Sequence, residues 1–283
     1  MITPPIAPIE NHREREKGVL VYPVYSRRSG GLSVGINFFP DQKYCPFDCP
    51  YCEVFPFSSN AVFSIEQLEN DLRSVIADAE ERNIPVMDIC FSGNGEPSLS
   101  PDFPEALRLA GRVRNELAPS AKLVLITNGA GLLDQNTFSL LRDAAAPFQK
   151  GENSLALDIW LKFDAGTTQW YQLINRSGIP HEKLIAKIKE FAALAPFTVQ
   201  TMLCSIDGEA PPEKEAKAWE KLLRELAAIA AGKIRKIQIY GKARPSPDDP
   251  KAQALPITYL EKRAASLKQA LGGSPQIPIE VFP

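Results

Sequence analysis

The sequence contains no long hydrophobic run. Nowhere in its 283 residues does an apolar stretch reach the roughly eighteen residues that a membrane-spanning helix needs. Residues 1–18 are rich in proline and then charged, without the apolar core of a signal peptide. We therefore expect a cytoplasmic protein that has no membrane partner.

The chain also lacks an excess of positive charge. Its 32 Lys and Arg residues are balanced by 34 Asp and Glu residues, which gives a formal net charge of -2. The chain therefore lacks the overall positive charge of many nucleic-acid-binding proteins, which argues against DNA binding. Binding of RNA would need a local basic patch. Hydrophobic residues make up 44% of the chain, enough for the core of one large or two small domains.

Cysteine is scarce and unevenly distributed. There are five cysteines, an odd number, and three of them fall within the eight residues from Cys45 to Cys52. This arrangement argues against a disulfide framework and indicates a metal or redox site in a reducing compartment. The other His and Cys side chains available to a metal are few: His12, His181, Cys90 and Cys204.

Short apolar segments alternate with amphipathic ones along the chain. The pattern predicts strands over Leu32–Phe39, Val86–Phe91, Lys122–Thr127, Leu155–Phe163, Phe197–Cys204 and Lys236–Tyr240, and a short last strand over Ile277–Phe282. It predicts helices over Ser64–Arg82, Asp102–Leu117, Asp134–Ala145, His181–Leu194, Pro212–Ala231 and Thr258–Leu271. Six strands, each followed by a helix or a long connection, are typical of a parallel sheet, and both an open sheet and a barrel fit this order.

The predicted strands have one apolar and one polar face. In the fourth strand Asp158, Lys162 and Asp164 alternate with apolar residues, and in the second Asp88 and Cys90 do the same. Buried charges are costly unless they are paired or bound to something, so we expect a curved sheet with a ligand on its polar face. The alternative is a sheet with one face open to solvent, which is rare for parallel sheets.

The strongest local motif is Cys45-Pro-Phe-Asp-Cys49-Pro-Tyr-Cys52, directly after the first predicted strand. Three thiolates would hold three irons of a cubane cluster, and the fourth iron would keep an open position for a substrate. One alternative is a structural zinc site, which needs a fourth ligand and more often shows paired CxxC motifs. The other alternative is a set of unligated core cysteines.

The CxxxCxxC spacing, with the aromatic Tyr51 before the last cysteine, resembles the signature of the radical S-adenosylmethionine (SAM) superfamily. The resemblance implies a [4Fe–4S] cluster on Cys45, Cys49 and Cys52, whose open iron chelates SAM and whose electron cleaves it to a 5′-deoxyadenosyl radical. It implies an α/β fold, a partial (βα)6 TIM-like barrel of parallel strands with helices outside. Residues 31–245 would form this core, with an N-terminal extension (1–30) and a C-terminal helix and tail (246–283).

Three further segments strengthen the resemblance and supply the predicted SAM-binding residues. Gly93-Asn-Gly-Glu-Pro97 resembles the superfamily's Gly-Gly-Glu turn, Thr127-Asn-Gly129 ends the third strand, and Asp158-Ile-Trp-Leu-Lys162-Phe-Asp164 ends the fourth. The residues predicted to bind SAM are Tyr51, Asn94, Gly95, Glu96, Asn128, Lys162 and Asp164. We expect Cys90 and Cys204, which share the inward face, to be core filler.

Ser33–Pro245 most resembles wyosine-synthase-like radical SAM proteins, through Ser-Gly-x-Gly-Glu-Pro and Gln238-x-Tyr…Arg244-Pro. This resemblance makes RNA the first expectation for the substrate and activation of a glycyl-radical protein the second. The family implies a flavodoxin or ferredoxin as reductant. Two other hypotheses are a non-catalytic iron–sulfur or SAM-binding protein and a zinc-stabilised binding module.

Overall fold

The computed structural model describes residues 18–54, 56–145, 155–244, 246, 249–272 and 277–283. The strands of this part of the chain are β1 Val21–Ser26, β2 Gly31–Asn37, β3 Val86–Ser92, β4 Lys122–Thr127, β5 Asp158–Lys162, β6 Phe197–Ile206, β7 Ile234–Gly241, β8 Ala252–Ala254 and β9 Ile279–Phe282. The helices are α1 Ile65–Glu81, α2 Phe103–Leu117, α3 Gln135–Ala144, α4 Thr168–Ile174, α5 His181–Leu194, α6 Glu213–Ala230 and α7 Ile257–Leu271.

The chain divides into two compact units. The first takes the described residues of Met1–Cys45, Val54–Thr127 and Ala144–Asp158, and the second takes those of Pro46–Glu53, Asn128–Asp143 and Ile159–Pro283. These divisions do not coincide with the boundaries that the sequence predicts after residues 30 and 245. The predicted domain boundaries therefore stay predictions.

The first unit is built on the ladder β1–β2–β3–β4. β1 pairs antiparallel with β2, whereas β2, β3 and β4 are parallel to one another. Ser64 caps α1, because its hydroxyl accepts from the Gln67 backbone N–H at 3.3 Å. The Gln67 side chain does not complete a capping box and instead donates to Asp71 at 2.5 Å. One apolar stripe of α1, Leu68, Leu72, Ile76 and Ala79, is buried.

The second unit is built on the ladder β5–β6–β7–β9, in which neighbouring strands are parallel. The short strand β8 adds to β6 in the antiparallel direction. Helices α5 and α6 lie in the connections that carry the chain from β5 to β6 and from β6 to β7. Parallel neighbours require such crossovers, because the chain must return to the same end of the sheet.

The predicted fold class is confirmed: an α/β protein of mostly parallel strands and helices, of the partial TIM-like barrel type. All six predicted strands are present, and β9 confirms the predicted last strand. The sequence prediction lacked three elements that the structure shows, namely β1, β8 and α4. Of the predicted N-terminal extension, residues 1–17 lie outside the described residues. No helix of the described chain is long and apolar enough to cross a membrane.

The predicted polar strand faces are buried and bonded within each unit. In the first unit, Asp88 is 2% exposed and accepts from the Ser33 hydroxyl at 2.5 Å. In the second, the fully buried Gln200 side chain donates to Gln238 at 2.7 Å. A sheet face open to solvent is therefore ruled out for these residues, because such polar groups stay buried only when they have partners.

Candidate active site

The turn after β3 is shaped by two glycines. Gly93 has a φ of +117°, a conformation that side chains rarely adopt. The Asn37 side-chain oxygen accepts from the Asn94 backbone N–H at 3.0 Å, and the Asn94 side chain donates to the Phe39 carbonyl at 3.1 Å. Asn94, predicted to bind SAM, thus fixes the turn to the chain that leaves β2.

The residue before the first cysteine of the motif pairs with this turn. Tyr44 donates its backbone N–H to the Asn94 carbonyl at 3.1 Å, and its own carbonyl accepts from the Glu96 N–H at 2.9 Å. A Cβ on Gly95 would lie 2.0 Å from the Tyr44 carbonyl oxygen, so only glycine allows this approach. The chain that enters Cys45 is therefore held by backbone hydrogen bonds to the predicted Gly-Glu turn.

The carboxylate of Glu96 is buried and oriented. It is 2% exposed, and its Oε1 accepts from the Ser98 backbone N–H at 3.2 Å and the Ser98 hydroxyl at 2.5 Å. The same oxygen accepts from the Thr127 hydroxyl at 2.6 Å, at the end of β4. The structure thus brings together two segments that the sequence predicted separately, the Gly-Glu turn and the start of Thr127-Asn-Gly129.

None of the five cysteines forms a disulfide bond. Cys45 belongs to the first unit, and Cys49 and Cys52 belong to the second, where the Cys52 N–H closes a turn on the Cys49 carbonyl at 2.9 Å. Among the described residues, no three His, Cys, Asp or Glu side chains converge on one point as a single metal ion requires. A cubane differs from a single ion in this requirement, because its thiolates each bind a different iron.

Lys162 and Asp164, both predicted from the polar face of the fourth strand, form an ion pair in the second unit. The Lys162 ammonium lies 3.2 Å from Asp164 Oδ1, and the two side chains are 12% and 1% exposed. The ammonium also donates to the Tyr240 hydroxyl and lies 4.6 Å from the ring centre of Tyr51. Burial would lower the pKa of Lys162, but Asp164 and Tyr240 outweigh it and raise that pKa, so the ammonium stays charged.

The Asp164 carboxylate is the centre of this group. Its Oδ2 accepts from the Tyr51 hydroxyl at 2.6 Å and from the Asn175 amide at 3.1 Å, and its Oδ1 accepts from the Met202 N–H at 2.9 Å. Burial, followed by the charge of Asp164, raises the pKa of Tyr51, so this phenol stays protonated and donates. Asp164 thereby orients both Tyr51 and Lys162.

Asn175 is a site residue that the sequence analysis did not name. It ends α4 and is 4% exposed. Its amide nitrogen lies 3.6 Å from the Cys49 sulfur, and its carbonyl accepts from the Asp48 N–H at 3.0 Å. Burial raises the pKa of the Cys49 thiol to about 11. No periodicity marks Asn175, since it lies in a loop 126 residues from Cys49 in the chain.

Asn128 lies beside this group in the second unit. Its side-chain oxygen accepts from the Ala130 N–H at 2.9 Å, and this bond shapes the turn after β4. Asn128 lines a cavity together with Lys162, Asp164, Asn175 and Tyr171. Apolar side chains complete the lining: Phe47, Phe163, Ala165, Leu184, Ile185 and Ile188.

The remaining two cysteines are buried. Cys90 is 5% exposed and Cys204 is 1% exposed. Burial raises the pKa of both thiols, that of Cys204 to about 12, so neither is a ready thiolate. These environments suit the predicted role as core filler.

Comparison with known proteins yields a limited sequence match and a broad structural one. No protein-family model matches the chain. UPF0026 proteins from two strains of Helicobacter pylori are 29% and 28% identical over 112 residues. These matches cover 38% of this chain and 34% of those proteins, so the chain matches about a third of their length.

The crystal structure of a radical SAM methyltransferase from Sphaerobacter thermophilus superimposes with a TM-score of 0.61 at 17% identity. The match covers 92% of this chain and 68% of that chain. The fold is therefore that of radical SAM enzymes, and the resemblance inferred from the sequence is confirmed at this level. The nearer resemblance to wyosine-synthase-like members stays a prediction.

Proposed function

We propose that this protein is a radical SAM enzyme that carries a [4Fe–4S] cluster on Cys45, Cys49 and Cys52. The proposal depends above all on one observation. The cysteine motif and the Gly-Glu turn, which are separate segments of the sequence, are joined by the backbone pairing of Tyr44 with Asn94 and Glu96. The donor set suits the cluster, because three thiols that form no disulfide lie in one short segment of a chain whose fold is similar to that of a radical SAM methyltransferase.

The bound cluster would supply one electron that breaks the bond between sulfur and C5′ of SAM, which yields methionine and a 5′-deoxyadenosyl radical for hydrogen abstraction. In the first unit, the fixed carboxylate of Glu96 and the turn carbonyls would bind the ammonium of the methionine moiety. In the second, the charged Lys162 would pair with a carboxylate of the ligand. Asp164 already accepts four hydrogen bonds or ion-pair contacts, so its proposed role is to orient Lys162 and Tyr51.

The test is anaerobic reconstitution with iron and sulfide, followed by dithionite and SAM, with chromatographic detection of 5′-deoxyadenosine and methionine. We expect both products from the wild-type protein. Cys45→Ala, Cys49→Ala and Cys52→Ala should each lose the cluster and the products. Cys90→Ala and Cys204→Ala are the matched controls and should retain iron.

Three results would contradict the proposal in different ways. An intact cluster without 5′-deoxyadenosine would indicate a non-catalytic iron–sulfur or SAM-binding protein. Zinc without iron in the protein as purified from cells would indicate a zinc-stabilised module. Loss of iron in the Cys90 or Cys204 variant to the same degree as in the Cys45 variant would contradict the assigned ligands.

The substrate and the reductant are proposed only by chemical class. RNA is the first substrate to test, from the resemblance to wyosine-synthase-like proteins, and a glycyl-radical protein is the second. A flavodoxin or ferredoxin would supply the electron. Isotope transfer from a deuterated substrate into 5′-deoxyadenosine would identify the hydrogen donor, and its absence with both classes would exclude them.

A further inference from the structure

We infer that Asn175 tunes the reduction potential of the cluster through a hydrogen bond from its side-chain amide to the Cys49 sulfur. This inference rests on the proposed function, because it takes Cys49 to be a cluster ligand. It assigns Asn175 a positioning role at the metal centre and no contact with substrate.

The orientation of the Asn175 amide follows from its surroundings. Its Nδ2 lies 3.1 Å from Asp164 Oδ2 and 3.6 Å from Cys49 Sγ. A carboxylate accepts hydrogen bonds and cannot donate them when ionised, so Asp164 requires the nitrogen rather than the oxygen of the amide on this side. The second N–H of the same nitrogen is then directed to the sulfur.

Ligation would keep this amide as a donor to the sulfur. The Cys49 thiol also contacts the Asn175 backbone carbonyl at 3.9 Å, with sulfur as the donor. A thiolate is the form that binds a metal, and it has no proton to give, so that contact would lose its hydrogen bond. The N–H of the Asn175 side chain, by contrast, is a better donor to a thiolate than to a thiol.

Helix α4, which precedes Asn175, is held at its start by a buried carboxylate. Glu215, 4% exposed on α6, accepts from the Gly166 and Thr167 N–H groups at 2.5 and 3.0 Å. The Thr167 hydroxyl caps α4 by accepting from the Trp170 N–H at 3.1 Å. Asn175 directly follows this short helix as its C-cap, and its N–H bonds to the Tyr171 carbonyl.

The side chain and backbone of Asn175 act on different parts of the cysteine loop. The backbone carbonyl anchors the loop through the Asp48 N–H, and a side-chain substitution leaves this bond in place. Of these two parts of Asn175, only the side chain can donate a hydrogen bond to the sulfur. Because reduction adds negative charge to the cluster sulfurs, an N–H donor stabilises the reduced form and raises the potential.

The experiment measures the cluster midpoint potential by redox titration without SAM, in the wild-type protein and in Asn175→Leu. Leucine keeps the branched shape and removes the donor. We expect the same iron content as wild type and a shift of the midpoint to a more negative value. Ser177→Ala is the matched control, since Ser177 is also buried in this loop but bonds to the Ile179 N–H. It should titrate as wild type does.

An unchanged midpoint in Asn175→Leu would overturn the inference, and so would an equal shift in Ser177→Ala. Loss of iron from a folded Asn175→Leu protein would also overturn it, because the side chain would then serve cluster assembly. If the leucine variant does not fold, Asn175→Ala replaces it and should also shift the midpoint to a more negative value; no shift there would be decisive against the inference. A wild-type protein with a cluster but no 5′-deoxyadenosine would defeat only the proposed function.

Discussion

His181 is the buried titratable side chain whose environment most directly predicts a dependence of stability on pH. It is 6% exposed, and its ring stacks on Tyr171 at 4.7 Å between centroids. Burial lowers its pKa from the ordinary value of 6.5. Its position in the first turn of α5 acts in the same direction, because the positive end of a helix dipole disfavours a second positive charge.

The expected result is a loss of stability in mild acid. The pKa of His181 is lower in the folded than in the unfolded chain, so its contribution to stability is present above pH 6.5 and is lost as the pH falls through the folded value. Urea denaturation of wild type and His181→Phe at about pH 7.5 and about pH 5.5 measures the effect. The wild-type midpoint should fall more than that of the variant. An equal fall in both would show that other groups titrate.

Single site residues were predictable where strand alternation governs them. Lys162 and Asp164 were assigned to a polar strand face by parity alone, and the structure joins them through the Lys162 ammonium. Asn175 was not predictable, because its neighbours are fixed by a loop and a short helix rather than by periodicity. The one sequence feature that pointed to Asn175 as a site residue was its closeness to Asp164 along the chain.

Among the larger elements, the turn after β3 gives the sharpest prediction about stability. Gly95→Ala would place a methyl group 2.0 Å from the Tyr44 carbonyl oxygen, a backbone atom that cannot rotate away. We expect a loss on the order of 1–3 kcal/mol in the free energy of unfolding, as for overpacked sites. The displaced Tyr44 segment should also lower iron retention after reconstitution.

Gly178→Ala is the matched control for this turn. Nothing lies within 4 Å of a Cβ at Gly178, and its φ is not in the left-handed region. Its free energy of unfolding should stay within about 0.5 kcal/mol of wild type. Urea denaturation and iron analysis of the two variants side by side would reject the argument if both behaved alike.

The strands and helices that the sequence did not predict depend on contacts with distant parts of the chain. β1 contains Pro23, which discourages a strand, yet the strand lies at the edge of the ladder, where proline is tolerated. Helix α4 has seven residues, too few for a periodic pattern, and its start is fixed by Glu215, 48 residues away from Thr167. The long helices and central strands were predictable, since each carries its own apolar stripe or run.

For the whole molecule, the order of strands and helices predicted the fold class, and the cysteine spacing predicted the proposed chemistry. Neither pattern predicted the hydrogen bonds that join the separate segments of the site. The pairing of Tyr44 with Asn94 and Glu96 and the contacts of Asn175 with Asp48 and Cys49 join residues 50 or more positions apart. Such contacts depend on the folded chain, and no local pattern encodes them.

The last prediction concerns the stability of the whole molecule when ligands bind. A ligand that binds only the folded state stabilises it by about 2.7 kcal/mol at a concentration one hundred times its dissociation constant. If the cluster holds part of SAM, SAM should raise the melting temperature of the anaerobically reconstituted wild-type protein. It should raise that of Cys45→Ala little, because that variant would hold no cluster. Removing iron with a chelator should abolish the difference between the two proteins. A SAM-dependent rise of equal size in Cys45→Ala would mean that the protein binds SAM without the cluster, and the cysteines would then need another explanation.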